Sequence, residues 1–353
     1  MTGVLLISLL VLGVGLALWL AAFDGRYALT GPRPTRLTAT TADGWQLAVW
    51  HRPAPHRRFV EPVVLCHGLA NNHAYFEFQP PQNLALVLSL AGFDCFTVDL
   101  RGAGASRPPH EGPFDVSFDD HVRLDVPAIL TLVEAQTGSR RVVWVGHSLG
   151  GLVALASVGT TLAGRLAALC TIGSPAFFQL PRSTQWLLKL AQALSPWGAF
   201  DARALGPLAP FGGRVQTRLA DGSVNLRNVA PLAQRQLLAN VFAPMWRGVL
   251  AQLEDWVSHD AFRSRDGVDY RVALRTLEVP TLVLGGSVDQ LAPEAATRAL
   301  HALLPGSTLK LFGRAHGQVE DYGHGDLVVG VRAQDEVYPT ITAFLATHAT
   351  EHR

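Results

Sequence analysis

Consecutive apolar residues occur in short runs along the chain, at Pro62–Cys66, Phe93–Leu100, Arg141–Val145, Leu166–Ile172, Pro280–Gly285 and Leu309–Phe312. Continuous runs of this kind read as strands buried on both faces, since a half-exposed strand would alternate with polar residues. Between them, segments 83–91, 119–137, 149–162, 293–304 and 335–347 carry apolar positions at helical spacing. Buried strands alternating with helices predict a mostly parallel sheet covered on both sides. Ahead of them, Leu37–Trp50 holds two β-rich runs around Asp43-Gly44. That dipeptide is a hairpin turn signal, and it adds antiparallel strands at one edge.

Two stretches break the rhythm. The first, 176–277, separates two successive strands where such connections usually take a handful of residues. It is helix-patterned and carries Trp186, Trp197, Trp246 and Trp256, four of the eight tryptophans. It is expected to be an inserted helical cap, dividing the body into 35–175 and 278–350. Apolar and aromatic positions at helical spacing in Thr184–Leu194 and Ala243–Val257 serve mainly to pack the cap onto the body, with a minority left to line an acyl pocket.

The second is Gly3–Phe23, 21 residues with no charge: 17 apolar, three Gly and one Ser. As a helix it reaches roughly 31 Å, enough to cross the hydrocarbon core of a bilayer. A cleaved signal peptide would show a basic start, a shorter apolar run and a small-x-small site. Met1-Thr2 and Ala21-Ala22-Phe23 supply neither end, so an uncleaved transmembrane anchor is expected over 3–23. Arg26, Arg33 and Arg36 follow the span, and the positive-inside bias puts the body on the cytoplasmic side.

Composition changes the picture little. Among 353 residues, 29 Lys+Arg oppose 28 Asp+Glu for a net charge of +1. No bulk positive field is present to hold phosphates, which argues against a nucleic-acid partner. Charged residues are 16% of the chain and the mean hydropathy is +0.21, in part because of the leader. Cys66, Cys95 and Cys170 all fall in apolar runs, as small core residues without disulfide or metal-ligand spacing.

The chemistry centres on Gly146-His147-Ser148-Leu149-Gly150-Gly151, between the strand at Arg141–Val145 and a helix start rich in small residues. G-x-S-x-G alone is a weak signal. In a strand–turn–helix context it forms a strained elbow that exposes the serine hydroxyl at a helix N-terminus. A serine needs a base, and the base needs an orienting acid; in this architecture they follow the serine as acid, then His. Asp289, just past the strand at Pro280–Gly285, fits the acid, with Glu294 the nearest rival. Two histidines follow the last strand. Loop length favours His316, whereas flanking glycines favour His324, and the residues alone leave both open. His67-Gly68-Leu69 ends an earlier strand, so the Leu69 and Leu149 amides are candidates for an oxyanion hole. His67 and His147 read as bracing residues.

Taken in order, the hairpin, His67-Gly68, Asp99–Ser106, Gly146–Gly151, Asp289 and a late His resemble the α/β-hydrolase superfamily, over about residues 37–347. Cys-His-Gly-Leu-Ala-Asn-Asn, Ala-Gly-Phe-Asp-Cys-Phe-Thr-Val-Asp-Leu-Arg-Gly and His324-Gly-Asp-Leu-Val-Val-Gly look like its acid-lipase-like branch. That branch places its base in a His-x-Asp stretch, so the resemblance implies His324. The Arg-Gly loop and most of the cap depart from the animal acid lipases, and their substrate specificity does not carry over. The expectation is an α/β-hydrolase fold and a membrane-anchored serine hydrolase acting on carboxylic esters. Ser148, His324 and Asp289 form its triad, no metal or organic cofactor is needed, and a lipophilic ester is the substrate. Acyl transfer and thioester cleavage use the same residues, and motifs do not separate them. A non-catalytic binding module fits poorly with so complete a set.

Overall fold

In the computed structural model, the described residues are 26–112, 114–178, 185, 189, 193, 199–203, 206 and 224–352. The apolar run 3–23 and the segment Thr184–Leu194, apart from 185, 189 and 193, lie outside them. Among the described residues no helix is long and apolar enough to cross a membrane.

An eight-stranded sheet organises the body. Its strands are β1 (Thr35–Thr40), β2 (Gln46–Arg52), β3 (Val63–Cys66), β4 (Cys95–Val98), β5 (Val142–His147), β6 (Leu166–Ile172), β9 (Thr281–Gly286) and β10 (Thr308–Phe312). Their spatial order is β1-β2-β4-β3-β5-β6-β9-β10. β1 and β2 are antiparallel around the Asp43-Gly44 turn, and β2 runs antiparallel to β4. Every other neighbouring pair is parallel. The continuous apolar runs are explained by what covers them. Along β5, Val142 and Trp144 enter one core while Val143 and Val145 enter the other. Along β3, Val64 and Cys66 face the first core, and Val63 and Leu65 the second.

Helices α1 (Leu84–Leu90), α2 (Val126–Thr137) and α3 (Leu149–Ser157) connect the early strands. α2 is preceded by one helical turn at Phe118–Asp120 and a wider π turn at His121–Asp125, a break that apolar periodicity over 119–137 does not reveal. α3 is shorter than the pattern over 149–162 predicts; Ser157 Oγ donates back to Val153 O, and the chain turns after it.

β6 and β9 are adjacent in the sheet, so the long interval between them leaves and returns at one place. Its described parts include β7 (Ala199–Asp201), which pairs with β8 (Pro244–Trp246), and helices α4 (Pro231–Asn240) and α5 (Arg247–His259). The helical spacing read over Ala243–Val257 is thus a short strand followed by a helix. Val249, Leu253 and Trp256 of α5 join the first core, where Trp256 meets Phe118 edge-on with 4.7 Å between centroids. Packing onto the body therefore accounts for Trp256. Helices α6 (Glu294–Leu303) and α7 (Tyr338–His348) complete the body, and 335–347 is interrupted at Val337, between two helical turns.

Candidate active site

Ser148 stands between β5 and α3 with φ 52° and ψ −117°, a left-handed backbone that a side chain rarely adopts. What holds it there is the approach of helix to strand. A Cβ on Gly146 would overlap the backbone of Gly150 and Gly151, and a Cβ on Gly150 would overlap the Cys66 carbonyl. Ser148 N donates to Ile172 O at 2.8 Å, and Trp144 Nε1 donates to Gly150 O at 3.1 Å. The elbow is thereby tied to β6 beside it and to β5 beneath it.

Asp289 lies in the turn after β9 and is 4% exposed. Its Oδ1 accepts from Leu291 N and Ala292 N, both at 2.8 Å. Its Oδ2 faces His324 Nδ1 at 2.8 Å, and His324 is itself buried. Turn-capping and histidine-orienting are thus the work of two different oxygens of one carboxylate. The rivals pair with each other: His316 Nε2 lies 3.1 Å from Glu294 Oε2, in a more exposed position. Gly173, at the end of β6, has φ 58°, and a Cβ there would lie 3.0 Å from His324 Nδ1 and 3.3 Å from Asp289 Oδ2. Only a residue without a side chain leaves that pair undisturbed.

The loop carrying His324 is fastened to the elbow by groups that sequence patterns do not expose. His147 Nε2 donates to His324 O at 3.0 Å, and Tyr75 Oη donates to Gly325 O at 2.8 Å. Burial, with His324 nearby, pushes His147 well below the usual histidine range, which keeps it a neutral donor. Asp326 accepts from Gly323 N at 3.0 Å, Asn225 N at 2.9 Å and Asn228 Nδ2 at 3.0 Å. Burial nevertheless raises its carboxyl to about 6.

Leu69 and Leu149 come to the same cleft. A Cβ on Gly68 would lie 3.1 Å from Ser148 Cβ, so the loop after β3 passes directly over the elbow. Leu149 N is the first amide of α3, left without an intrahelical partner by helix geometry. His67 braces this loop: Nδ1 donates to Gly68 O at 2.8 Å and Nε2 accepts from Leu100 N at 3.3 Å. Burial lowers it to about 4, so it is neutral near pH 7 and already committed at both nitrogens. Asp99 acts similarly. Burial opposes its ionisation, but His73, with which it is hydrogen-bonded, and His67 hold it down at about 2. Its oxygens also accept from Trp50 Nε1 and Ala105 N, fixing the Asp99–Ser106 loop. The three cysteines are buried and free, and burial raises each thiol.

The cleft beside Leu69 and Leu149 is small, about 20 Å³. A larger cavity of about 300 Å³ lies between segment 28–34 and Trp50, Arg52, His73 and Glu77, with no residue of the Ser148 site in its wall.

A mostly parallel α/β body with a serine elbow and a buried acid–histidine pair after its later strands defines a class, and sequence comparison gives the same one. The alpha/beta hydrolase fold family matches residues 61–330. The chain belongs to that family, as a member of its lipase–esterase type. It is 32% identical over 272 residues to a pimeloyl-(acyl-carrier protein) methyl ester esterase of Stenotrophomonas maltophilia, covering 75% of this chain and 89% of that one. It is 31% identical over 134 residues to a tear acid lipase-like protein of Mesocricetus auratus, covering 35% of this chain and only 34% of that one. Among solved structures, a thermophilic esterase from Thermogutta terrifontis superposes with a TM-score of 0.61 at 21% identity, over 90% of this chain and all of that one.

Proposed function

We propose that the protein hydrolyses carboxylic esters through an acyl-enzyme on Ser148, with His324 as base and Asp289 as its orienting acid. One observation carries the reading: the 2.8 Å Asp289–His324 bond is sealed from water, on a loop hydrogen-bonded to the residue preceding Ser148. The ester-cleaving relatives support the reaction type.

Ser148 Oγ attacks the ester carbonyl while His324 Nε2 takes its proton. Asp289 holds Nδ1–H and stabilises the imidazolium that results. The carbonyl π-electron pair moves to oxygen, which the Leu69 and Leu149 amides receive; one such donor is typically worth about 3 kcal/mol. The carbonyl re-forms, the C–O bond breaks, and the alcohol leaves with the proton from His324. Water, deprotonated by His324, attacks the acyl-enzyme in the same way and releases the acid and Ser148. The apolar run 3–23 anchors this site beside a bilayer, with the body that follows it, from Arg26 onward, on the cytoplasmic side, and the substrate is an ester that partitions there.

Labelling with a fluorophosphonate probe tests the assignment. Wild type and His316→Ala are expected to label; Ser148→Ala and His324→Ala are not, with kcat on a soluble ester down by roughly 10,000-fold or more. Labelling that survives in His324→Ala and disappears in His316→Ala would transfer the base to His316. Folded wild type that does not label would end the serine-hydrolase reading.

A further inference from the structure

We propose that Trp246 is the gate of the acyl channel and sets the length of acyl chain the enzyme accepts; this rests on the ester-hydrolase reading above. The alcohol must collect its proton from His324, so it departs on the His324 side of the tetrahedral carbon. The acyl arm therefore points the other way. The cleft beside Leu69 and Leu149 adjoins the elbow there: Gly68 is in its wall, where a Cβ would lie 3.1 Å from Ser148 Cβ, while Ser148, His324 and Asp289 themselves do not line it. It is closed down to about 20 Å³, room for about one water, by Pro244, Trp246 and Val249 of the interval between β6 and β9.

Among these, Trp246 has the bulk and the freedom to open it. Its indole lies against Gly102, where a Cβ would overlap the ring, and edge-on to Trp45 at 6.3 Å. Its Nε1 is buried without a hydrogen-bond partner, so swinging outward breaks no hydrogen bond and lets that N–H reach water. The backbone beneath it is anchored: Ala243 N donates to Ala70 O at 2.7 Å, and β8 pairs with β7. A side chain without a polar tether on an anchored strand opens by changing rotamer. With Trp246 in place the site takes short acyl groups; with it turned out, a longer chain passes along Leu69, Leu149 and Val249, and the polar part of the cleft's lining, His67, Asn71, Arg101 and His121, is left to the polar carbonyl end.

The test is a series of p-nitrophenyl esters from acetate to octanoate and palmitate, in detergent, on wild type, Trp246→Phe and Trp246→Ala. The readout is the ratio of kcat/KM for octanoate to that for acetate within each variant, which partial unfolding does not alter. Removing the indole is expected to raise this ratio by about tenfold or more, with Phe between, as the added methylenes find apolar contact. Acetate esters of lengthening alcohols should show no such change of ratio. An unchanged acyl ratio, or equal losses on every chain length, overturns the gate. Should Trp246→Ala not fold, Trp246→Phe decides alone by the same criterion. Fluorophosphonate labelling of each variant keeps the two ideas apart: an enzyme that labels yet keeps its chain-length ratio removes the gate and leaves the hydrolase.

Discussion

Asp326 shows how much a single buried carboxylate governs here. It lies two residues past His324, shut off from solvent, and accepts hydrogen bonds from both sides of its loop. Burial raises it from its ordinary 3.8 to about 6, so the folded protein binds that proton more tightly than the unfolded chain does. Its contribution to stability is complete below about pH 4 and is lost as pH rises through 6, by up to about 3 kcal/mol. His67 and His147 act in the opposite sense: their lowered values make stability fall as pH drops below the unfolded histidine value. Comparing Asp326→Asn with wild type cancels the histidines. The stability advantage of wild type, from urea midpoints, should be larger at pH 4 than at pH 7.5; an equal difference at both would show that folding leaves the Asp326 carboxyl unshifted. The His-x-Asp spacing is visible in the sequence, but its partners Asn225 and Asn228 lie about a hundred residues away, and no local pattern points to them.

At the scale of elements, the elbow depends on how closely α3 descends onto β3. Gly150 is where they touch, and the atoms a Cβ would meet belong to the backbone of Cys66 and His67, which cannot swing aside. Gly150→Ala is therefore expected to cost at least about 2 kcal/mol in urea unfolding and to abolish fluorophosphonate labelling, since α3 must retreat and carry Leu149 with it. Retention of full labelling would mean that the Leu149 amide position is not critical. The glycine pattern around Ser148 was legible because both elements that require it are adjacent in sequence. The clamp of Tyr75 and His147 on the His324 loop was not, since its partners are brought together only by the sheet order.

At the scale of the whole molecule, the chain leaving the leader is tied to the site. Tyr27 packs against Leu238 and Ala239 of α4, and its carbonyl accepts from Asn240 Nδ2 at 2.8 Å. Asn72 Nδ2, on the loop that begins at His67, donates to Asn240 O at 2.9 Å. A chain beginning at Arg26 keeps these contacts. It should remain in the soluble fraction and hydrolyse short esters with kcat within about twofold of the full chain, whereas the full chain should sediment with membranes and resist alkaline extraction. A full chain that stays soluble would remove the anchor from the proposal.

The sequence alone determined the alternation of buried strands and helices, the hairpin edge and the serine elbow, and offered Asp289 as the candidate acid after the penultimate strand. Each of these is written in neighbouring residues, as apolar runs, glycine spacing or turn signals. The choice between His316 and His324 was of another kind. Both follow β10 in one polar loop, and the resemblance to a family, not the residues, favoured the second. Tertiary structure pairs Asp289 with His324 and Glu294 with His316, because the loop folds back over the end of β9 and is caught there by His147 and Tyr75. The small cleft under Trp246 is likewise a product of packing: its walls come from five separate stretches of chain, and only the fold makes them neighbours.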